Sequence, residues 1–528
     1  MYDLLITDAI IYDGTSRPFY RGDIGICGHF IRCIGHISKK SARRVVSAAG
    51  RAVAPGFIDM HSHSDTAILV NPSAESKIRQ GVTTEVIGNC GNSLAPLAGE
   101  ACEHVDSHLE GYDLKREWSS TAEYLNFVER VRPAVNIATL AGHGTIRRSV
   151  LGNENKQPAA HDLMCMKNLL SEALDDGAYG MSTGLIYPPG FYSDTEELMA
   201  LAEILKRDNA LYVSHIRGEG PTLIDAISEI ITIGEGTGAS VHVSHHKATG
   251  QPHWGKVKKT LAMIDDARRQ YIDITGDVYP YCATNTLLQT FLPRWVHEGG
   301  VKNMLSRLKD YSVRGKLVDR LKGSDAYRIK WENIMLAHAK KGINKNLEGK
   351  NLAEIAKIRN SDPEEVVIDL IMEEEGTASV IIQSMCEEDI EEVMRHPVMM
   401  IGSDGSCLTV DGLLGQGNPH PRNFGTFPRV LAEYARERGT ISLESAINKM
   451  TFLCAKRMGF QDRGLISPGF RADLVMLDMD RVQDVSTYQD PKKYPEGIAS
   501  VLVNGNIVID EGKSTGSRSG MVIRKGRE

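Results

Sequence analysis

Nine short apolar segments recur through the middle of this chain, and several of them carry a histidine, aspartate or glycine at or near their C-terminal end. They are GFIDMHS at 56–62, TEVIGN at 84–89, AVNIATLAG at 134–142, YGMSTGL at 179–185, ALYVSHI at 210–216, SVHVSHH at 240–246, YIDITGDVY at 271–279, SVIIQSM at 379–385 and VMMIGSD at 398–404. Longer amphipathic runs such as DTEELMALAEILKRD and TLIDAISEIITIGEGT lie between them. A strand followed by a helix, many times over, predicts a parallel sheet with helical crossovers, and eight such units close into a (β/α)8 barrel. Nine candidates for eight places leave one outside. SVIIQSM and YIDITGDVY are the two candidates for exclusion.

Both ends of the chain are of another kind. Residues 2 to about 54 are short β-type runs punctuated by glycine, and ADLVMLD at 472–478 and ASVLVNGNIVIDEG at 499–512 repeat the style, with Asn504-Gly505 as a hairpin turn. Two strand-rich ends predict a small β-sandwich domain built from both termini, residues 1–54 and 461–528, around a barrel at 55–460. The βα rhythm breaks at 285 to about 345, where LLQTFLPRWVHEGGVKNMLSRLKDYSVRGKLVDRL reads as basic amphipathic helices. That segment is expected to be a helical insertion, either a solvated subdomain or a wall over the barrel mouth. At 528 residues, one large body with an accessory module is the natural size class.

Composition removes several function classes. Lys and Arg total 61 against 68 Asp and Glu, for a net charge of -7, and no basic stripe with interleaved aromatics suggests nucleic acid. No run approaches eighteen apolar residues, so a membrane span is not expected, and the opening MYDLLITDAIIYDG lacks the basic and apolar regions of a signal peptide. The nine cysteines are scattered without any CxxC pair, which suits a reducing compartment. A cytoplasmic enzyme acting on a small molecule is the expectation, and a homo-oligomer is compatible with it.

Metal-ligating residues cluster at the predicted strand ends. His61-Ser62-His63 follows GFID, and in extended backbone residues i and i+2 point to one face, so both imidazoles can enter the barrel mouth together. His215 and His245 each end an apolar run, thirty residues apart, about one strand-helix-strand unit; His242 and His246 are competitors for the second position. Cys90 sits beside glycines at another strand end and offers a soft thiolate suited to zinc and able to bridge two metals. Asp404 in VMMIGSDG can orient water and accept its proton. His143 in LAGHGT is a candidate for substrate contact or for stabilising developing charge.

With these residues assembled, the chain resembles the amidohydrolase superfamily and within it the N-acyl-D-amino-acid deacylases, or D-aminoacylases. The matching segments include PGFIDMHSHSD at 55–65, GVTTEVIGNCG at 81–91, AGHGTIR at 141–147, STGLIYPPG at 182–190, SHIRGE at 214–219, VSHHKATG at 243–250, IGSDG at 401–405 and HPRNFGTFPRVL at 420–431. The resemblance implies a barrel with a small β domain, a tightly held zinc on Cys90, His215 and His245, and a second, weaker metal position at His61 and His63. It also implies Asp404 as general base and then acid, and hydrolysis of an N-acyl-D-amino acid to a carboxylate and a free D-amino acid. Substrate carboxylate binding carries over to Lys247, with Tyr187 and Tyr279 nearby, and Arg422 is a further candidate through its bidentate geometry. D-selectivity rests on the resemblance alone. YGMSTGL offers no lysine to be carbamylated as a bridge between metals, which argues against the dihydropyrimidinase and dihydroorotase branches. The alternative substrates are a cyclic amide, an N-carbamoyl compound or a dipeptide.

Overall fold

The computed structural model describes residues 1–323 and 330–526. The remainder of the expected 285–345 insertion, 324–329, and the last two positions of the expected terminal domain lie outside the described residues.

Eight parallel strands form the barrel: Phe57–Asp59, Val82–Ile87, Asn136–Thr139 continued as Ala141–Gly142, Gly180–Gly184, Leu211–His215, Ser240–Val243, Ile274–Val278 and Met399–Ile401. Each pairs in parallel with its neighbour, and a bridge between Ser62 and Gly405 closes the seam between the first and last. Two-residue alternation sorts the side chains. Ile58, Val86, Ala138, Leu140, Leu211, Val213 and Met400 pack with Cys454, Met458 and Phe460 in one cluster, while Phe57, Val82, Ile87, Tyr212, Val241, Ile274 and Met399 pack in another that includes helical residues. The strand ends that carry the histidines stand at the opposite rim from that helical plug, the rim where barrel enzymes build their sites.

YIDITGDVY supplies the seventh barrel strand, and SVIIQSM is the segment outside. Ser379–Gln383 instead runs antiparallel to Ala283–Leu287 on one side and Ile334–His338 on the other. This three-stranded sheet, with the helices Gly300–Leu308, Tyr311–Gly323, Leu352–Arg359 and Pro363–Glu373, encloses its own apolar core from Leu288 to Ile382. The lobe is therefore longer than the expected insertion and partly β. Two of its strands have no alternation that sets them apart from loop, because they are defined by pairing with a segment far along the chain.

The termini join in one nine-stranded sheet, in which Ala52–Pro55 pairs antiparallel with Leu474–Leu477. Its separate core gathers Leu4, Ile6, Ile11, Ile24 and Ile26 from one end with Leu474, Met476 and Leu502 from the other. Asn504 and Gly505 have φ of 49° and 79°, the two positive values of the tight hairpin turn that joins Ile498–Val503 to Asn506–Asp510. The last described residues leave this sheet: Ile137 of the third barrel strand donates to Met521, and Ile523 donates back to Ile137.

Candidate metal centre

Six side chains from five barrel strand ends converge at the rim. His61 and His63 follow the first strand, Cys90 the second, His215 ends the fifth, His245 follows the sixth and Asp404 the eighth. Cys90, His245 and Asp404 have φ of 51°, 35° and 52°, left-handed values that cost a residue with a Cβ about 1–2 kcal/mol each. Such conformations persist where the surroundings over-determine them, and they concentrate at functional sites. Here the His245 amide donates to the Asp277 carboxylate at 3.0 Å and the Asp404 amide to the His61 carbonyl at 2.8 Å. Beside Cys90, Gly91 has φ of 75°, and a Cβ there would stand 2.6 Å from the Gly184 backbone nitrogen, so only glycine fits.

Around the Cys90 sulfur, His61 Nε2 stands at 3.2 Å, His215 Nδ1 at 3.5 Å and His245 Nε2 at 3.5 Å. Two ligands of one tetrahedral zinc, with bonds of about 2.3 Å to sulfur and about 2.0 Å to nitrogen, stand roughly 3.5 Å apart. The donor set has the right chemistry as well. Burial works to raise the Cys90 thiol, but the imidazoles of His61 and His245 outweigh it and hold it well below the ordinary thiol range, so the sulfur is a thiolate. His61, Cys90, His245 and Asp404 form one group with ligand atoms within 4.8 Å of one another, and His215, Glu219 and His245 form a second. The residues present fit zinc.

Two carboxylates that sequence reasoning left without a role hold these rings. Glu219 Oε1 stands 3.2 Å from His245 Nδ1 and 3.7 Å from His215 Nε2, the ring nitrogens turned away from Cys90. Asp277 Oδ2 stands 3.5 Å from His61 Nδ1 and 2.9 Å from His242 Nε2. A carboxylate on the outer nitrogen fixes the tautomer of a ligating histidine and makes it a better donor. Both acids were visible in the sequence, in SHIRGE and YIDITGDVY, four residues after a candidate ligand and at a strand end. The competitors are otherwise engaged: His242 binds Asp277 and Thr275, and His246 binds Thr260 at 2.8 Å.

Asp404 is held from two sides. Its Oδ1 meets His63 Nε2 at 2.9 Å and its Oδ2 meets an Arg422 terminal nitrogen at 2.7 Å. Burial pushes this carboxyl up, but the Arg422 guanidinium, His245, His63 and His61 together outweigh burial and keep it well below the usual carboxylate range. Lys247 Nζ stands 2.5 Å from Glu219 and 2.7 Å from His245 Nδ1. Arg422 and Lys247 both lie over the Tyr279 ring, at 4.9 and 5.4 Å, and among the described residues the buried Tyr279 hydroxyl has no hydrogen-bond partner. Tyr187 packs edge-on against the His215 ring and shares a hydrogen bond with Thr286 of the lobe at 3.1 Å. His143 is not brought into the cluster. Its fully buried ring binds Glu197 at 2.7 Å through Nε2, and Arg147 engages the same carboxylate; the residue directly follows the third barrel strand and is the first of a helix, His143–Leu151.

Comparison with known proteins agrees with this geometry. Residues 44–509 match the family model described as "Amidohydrolase family". N-acyl-D-glutamate deacylase of Alcaligenes xylosoxydans xylosoxydans is 35% identical over 99% of this chain and 96% of its own, and D-aminoacylase of the same organism is 35% identical over 99% and 98%. A crystal structure of N-acyl-D-glutamate deacylase from Bordetella bronchiseptica, complexed with zinc and a phosphonate mimic of the tetrahedral intermediate, matches with a TM-score of 0.85 at 33% identity, covering 99% of both chains. Full-length similarity on that scale, with a thiolate and histidines gathered at the rim of an eight-stranded barrel, makes this chain a member of the amidohydrolase superfamily, in its N-acyl-D-amino-acid deacylase (D-aminoacylase) family.

Proposed function

We propose that the protein hydrolyses the amide bond of N-acyl-D-amino acids, using zinc, to give a carboxylate and a free D-amino acid. The observation that carries this reading is the rim cluster itself: a thiolate between imidazoles, 2.9 Å-coupled histidine and carboxylate at His63 and Asp404, and two cations over the ring of Tyr279, whose buried hydroxyl has no hydrogen-bond partner among the described residues. Cys90, His215 and His245 would hold the tightly bound zinc, and His61 and His63, with Cys90 shared, a weaker second one. When bound, zinc supplies Lewis acidity and a more acidic water.

The chain's own residues do the rest. Asp404, kept ionised by Arg422, takes the proton of the attacking water and then returns it to the leaving nitrogen. Lys247 and Tyr279 hold the substrate's α-carboxylate; an acceptor-only group is what the free Tyr279 hydroxyl lacks. Arg422 orients Asp404 and lies beside the same carboxylate position, and Tyr187 with Thr286 forms a wall contributed jointly by barrel and lobe. None of the nine cysteines is in a disulfide, which supports a cytoplasmic setting; among the described residues no helix is long and apolar enough to cross a membrane.

The test is a hydrolysis panel of N-acetyl-D-amino acids, their L-enantiomers, hydantoins and dipeptides, run on zinc-loaded enzyme. Turnover confined to acyl-D-amino acids is expected. No turnover on any of them, or preference for a hydantoin, overturns the reading.

A further inference from the structure

Beneath the metal centre lies a second charged cluster that the proposed reaction does not use. Lys77 sits in a single helical turn, Glu75–Ile78, between the first and second barrel strands, and its side chain is wholly buried. Its ammonium meets three barrel strands at once: Asp59 Oδ2 of the first at 2.6 Å, Glu85 Oε2 of the second at 3.5 Å, and beyond the last strand the Ser403 hydroxyl at 2.8 Å and the Gly405 carbonyl at 3.2 Å. Ser403 and Gly405 are the two neighbours of Asp404.

The rest of the cluster converges on the same point. Asp59 accepts the Ser403 amide at 2.8 Å and the Ser403 hydroxyl at 2.5 Å, and its Oδ1 takes the His61 amide at 3.2 Å. The Ser403 hydroxyl accepts the Gly405 amide at 3.0 Å, across the turn that contains Asp404. Glu85 accepts the hydroxyls of Ser62 and Ser64, and Ser64 accepts the Cys407 amide at 2.8 Å. The helical turn that carries Lys77 is itself stitched to the segment after Asp404, since Ser76 donates to Leu408 and accepts from it. A barrel seam can be closed by backbone pairing alone. Here the seam has the backbone bridge from Ser62 to Gly405 and the Asp404 amide bonded to the His61 carbonyl, and in addition a buried ammonium that bonds both residues flanking Asp404, a non-glycine residue with φ of 52°.

We propose that Lys77 is a positioning residue for the hydrolytic reaction: by gripping both neighbours of Asp404 it holds that carboxylate, in its left-handed backbone conformation, against His63. The inference rests on the reading of Asp404 as the group that moves the proton. Without the grip the turn relaxes toward an ordinary backbone conformation and carries the carboxylate away from the reacting water. A shift of about 1 Å in a reacting group can cost about 100-fold in rate.

Lys77→Met strips the counter-charge from two buried carboxylates and threatens the fold itself, so Ser403→Ala, which keeps every charge, is the deciding variant. For Ser403→Ala the expected result is a fall in kcat of at least about tenfold with KM within about twofold, on protein whose zinc content and unfolding temperature match the parent. Lys77→Met, where it folds, is expected to lose about 100-fold in kcat with zinc still bound. Unchanged kcat in folded, zinc-loaded Ser403→Ala overturns the proposal, as does a loss that appears only in proportion to lost zinc or lost folded protein. Asp404→Asn in the same assay separates the two readings. A dead Asp404→Asn beside an unaffected Ser403→Ala sinks the role of Lys77 alone, whereas a parent without turnover on any acyl-D-amino acid sinks the proposed function as well.

Discussion

Asp404 touches an imidazole through one oxygen and a guanidinium through the other, and each contact has a separate consequence. Arg422 keeps the carboxylate ionised, so Asp404→Asn is expected to leave zinc stoichiometry unchanged while lowering kcat by about 10²–10⁴-fold, the range for removing a positioned proton-transfer group. Metal analysis with steady-state kinetics on one preparation checks both halves; lost zinc would reassign Asp404 to a mainly ligating role. Glu219 is expected to act the other way. Glu219→Gln removes the charge behind His215 and His245, so zinc affinity should fall about 10–100-fold, read by competition against a chelator. Tyr279→Phe should raise KM by roughly tenfold or more with little change in kcat, since a hydrogen bond to a charged group contributes about 1.5–3 kcal/mol. An unchanged KM would remove Tyr279 from the carboxylate site. Cys90, His215, His245, His61, His63 and Asp404 were legible because each ends an apolar run. Glu219 and Asp277 stand near candidate ligands in the sequence, yet their roles and that of Lys77 were not legible, because those lie in contacts between separate segments: Asp59 and Ser403, both bonded to Lys77, are 344 residues apart in sequence.

At the level of elements, the helix Leu443–Met450 packs under the eighth barrel strand through a buried lysine. Lys449 Nζ donates to the carbonyls of His396 at 2.6 Å and Met399 at 2.9 Å, and burial pushes its pKa down to about 8 from an ordinary 10.5. In the unfolded chain the amine holds its proton up to the ordinary value, so between about pH 8 and 10.5 the unfolded state binds more protons. Folding stability attributable to this residue therefore rises with pH across that window and is lost as pH falls back to about 8, below which it is constant. Denaturant titrations of the parent and of Lys449→Met at pH 7.5 and pH 10 check this; the parent should gain on the variant by an amount on the order of 1–3 kcal/mol. Equal pH slopes would show that Lys449 titrates normally. SVIIQSM illustrates why elements resist sequence reading. Its apolar composition is that of a parallel barrel strand, and only its antiparallel partners, Ala283–Leu287 and Ile334–His338, put it in the lobe.

For the whole molecule, the proposed zinc would tie together the ends of the second, fifth and sixth barrel strands, which stand on separate βα units. Binding to the folded state alone adds stability of about 2.7 kcal/mol when free zinc is 100 times its dissociation constant. Chelator-treated protein is thus expected to keep its secondary structure, lose activity and unfold a few degrees lower in calorimetry, with one zinc per chain restoring both. Identical unfolding temperatures with and without zinc would mean that the metal does not bridge the barrel. The lobe, with its own core between Leu288 and Ile382, meets the site through Thr286 and Tyr187, so substrate side-chain preference is expected to respond to changes there more than to changes in the terminal sheet.

By itself the sequence determined the barrel, the terminal β domain and six of the rim residues, because period-two apolar runs and their end residues are local properties of the chain. Tertiary structure alone decided which ninth run leaves the barrel, that His143 turns into a buried pair with Glu197, and that Asp277, Glu219 and Lys77 stand behind the metal centre. Those outcomes depend on which buried charge finds which partner, and a buried charge is tolerated only where distant segments bring it one.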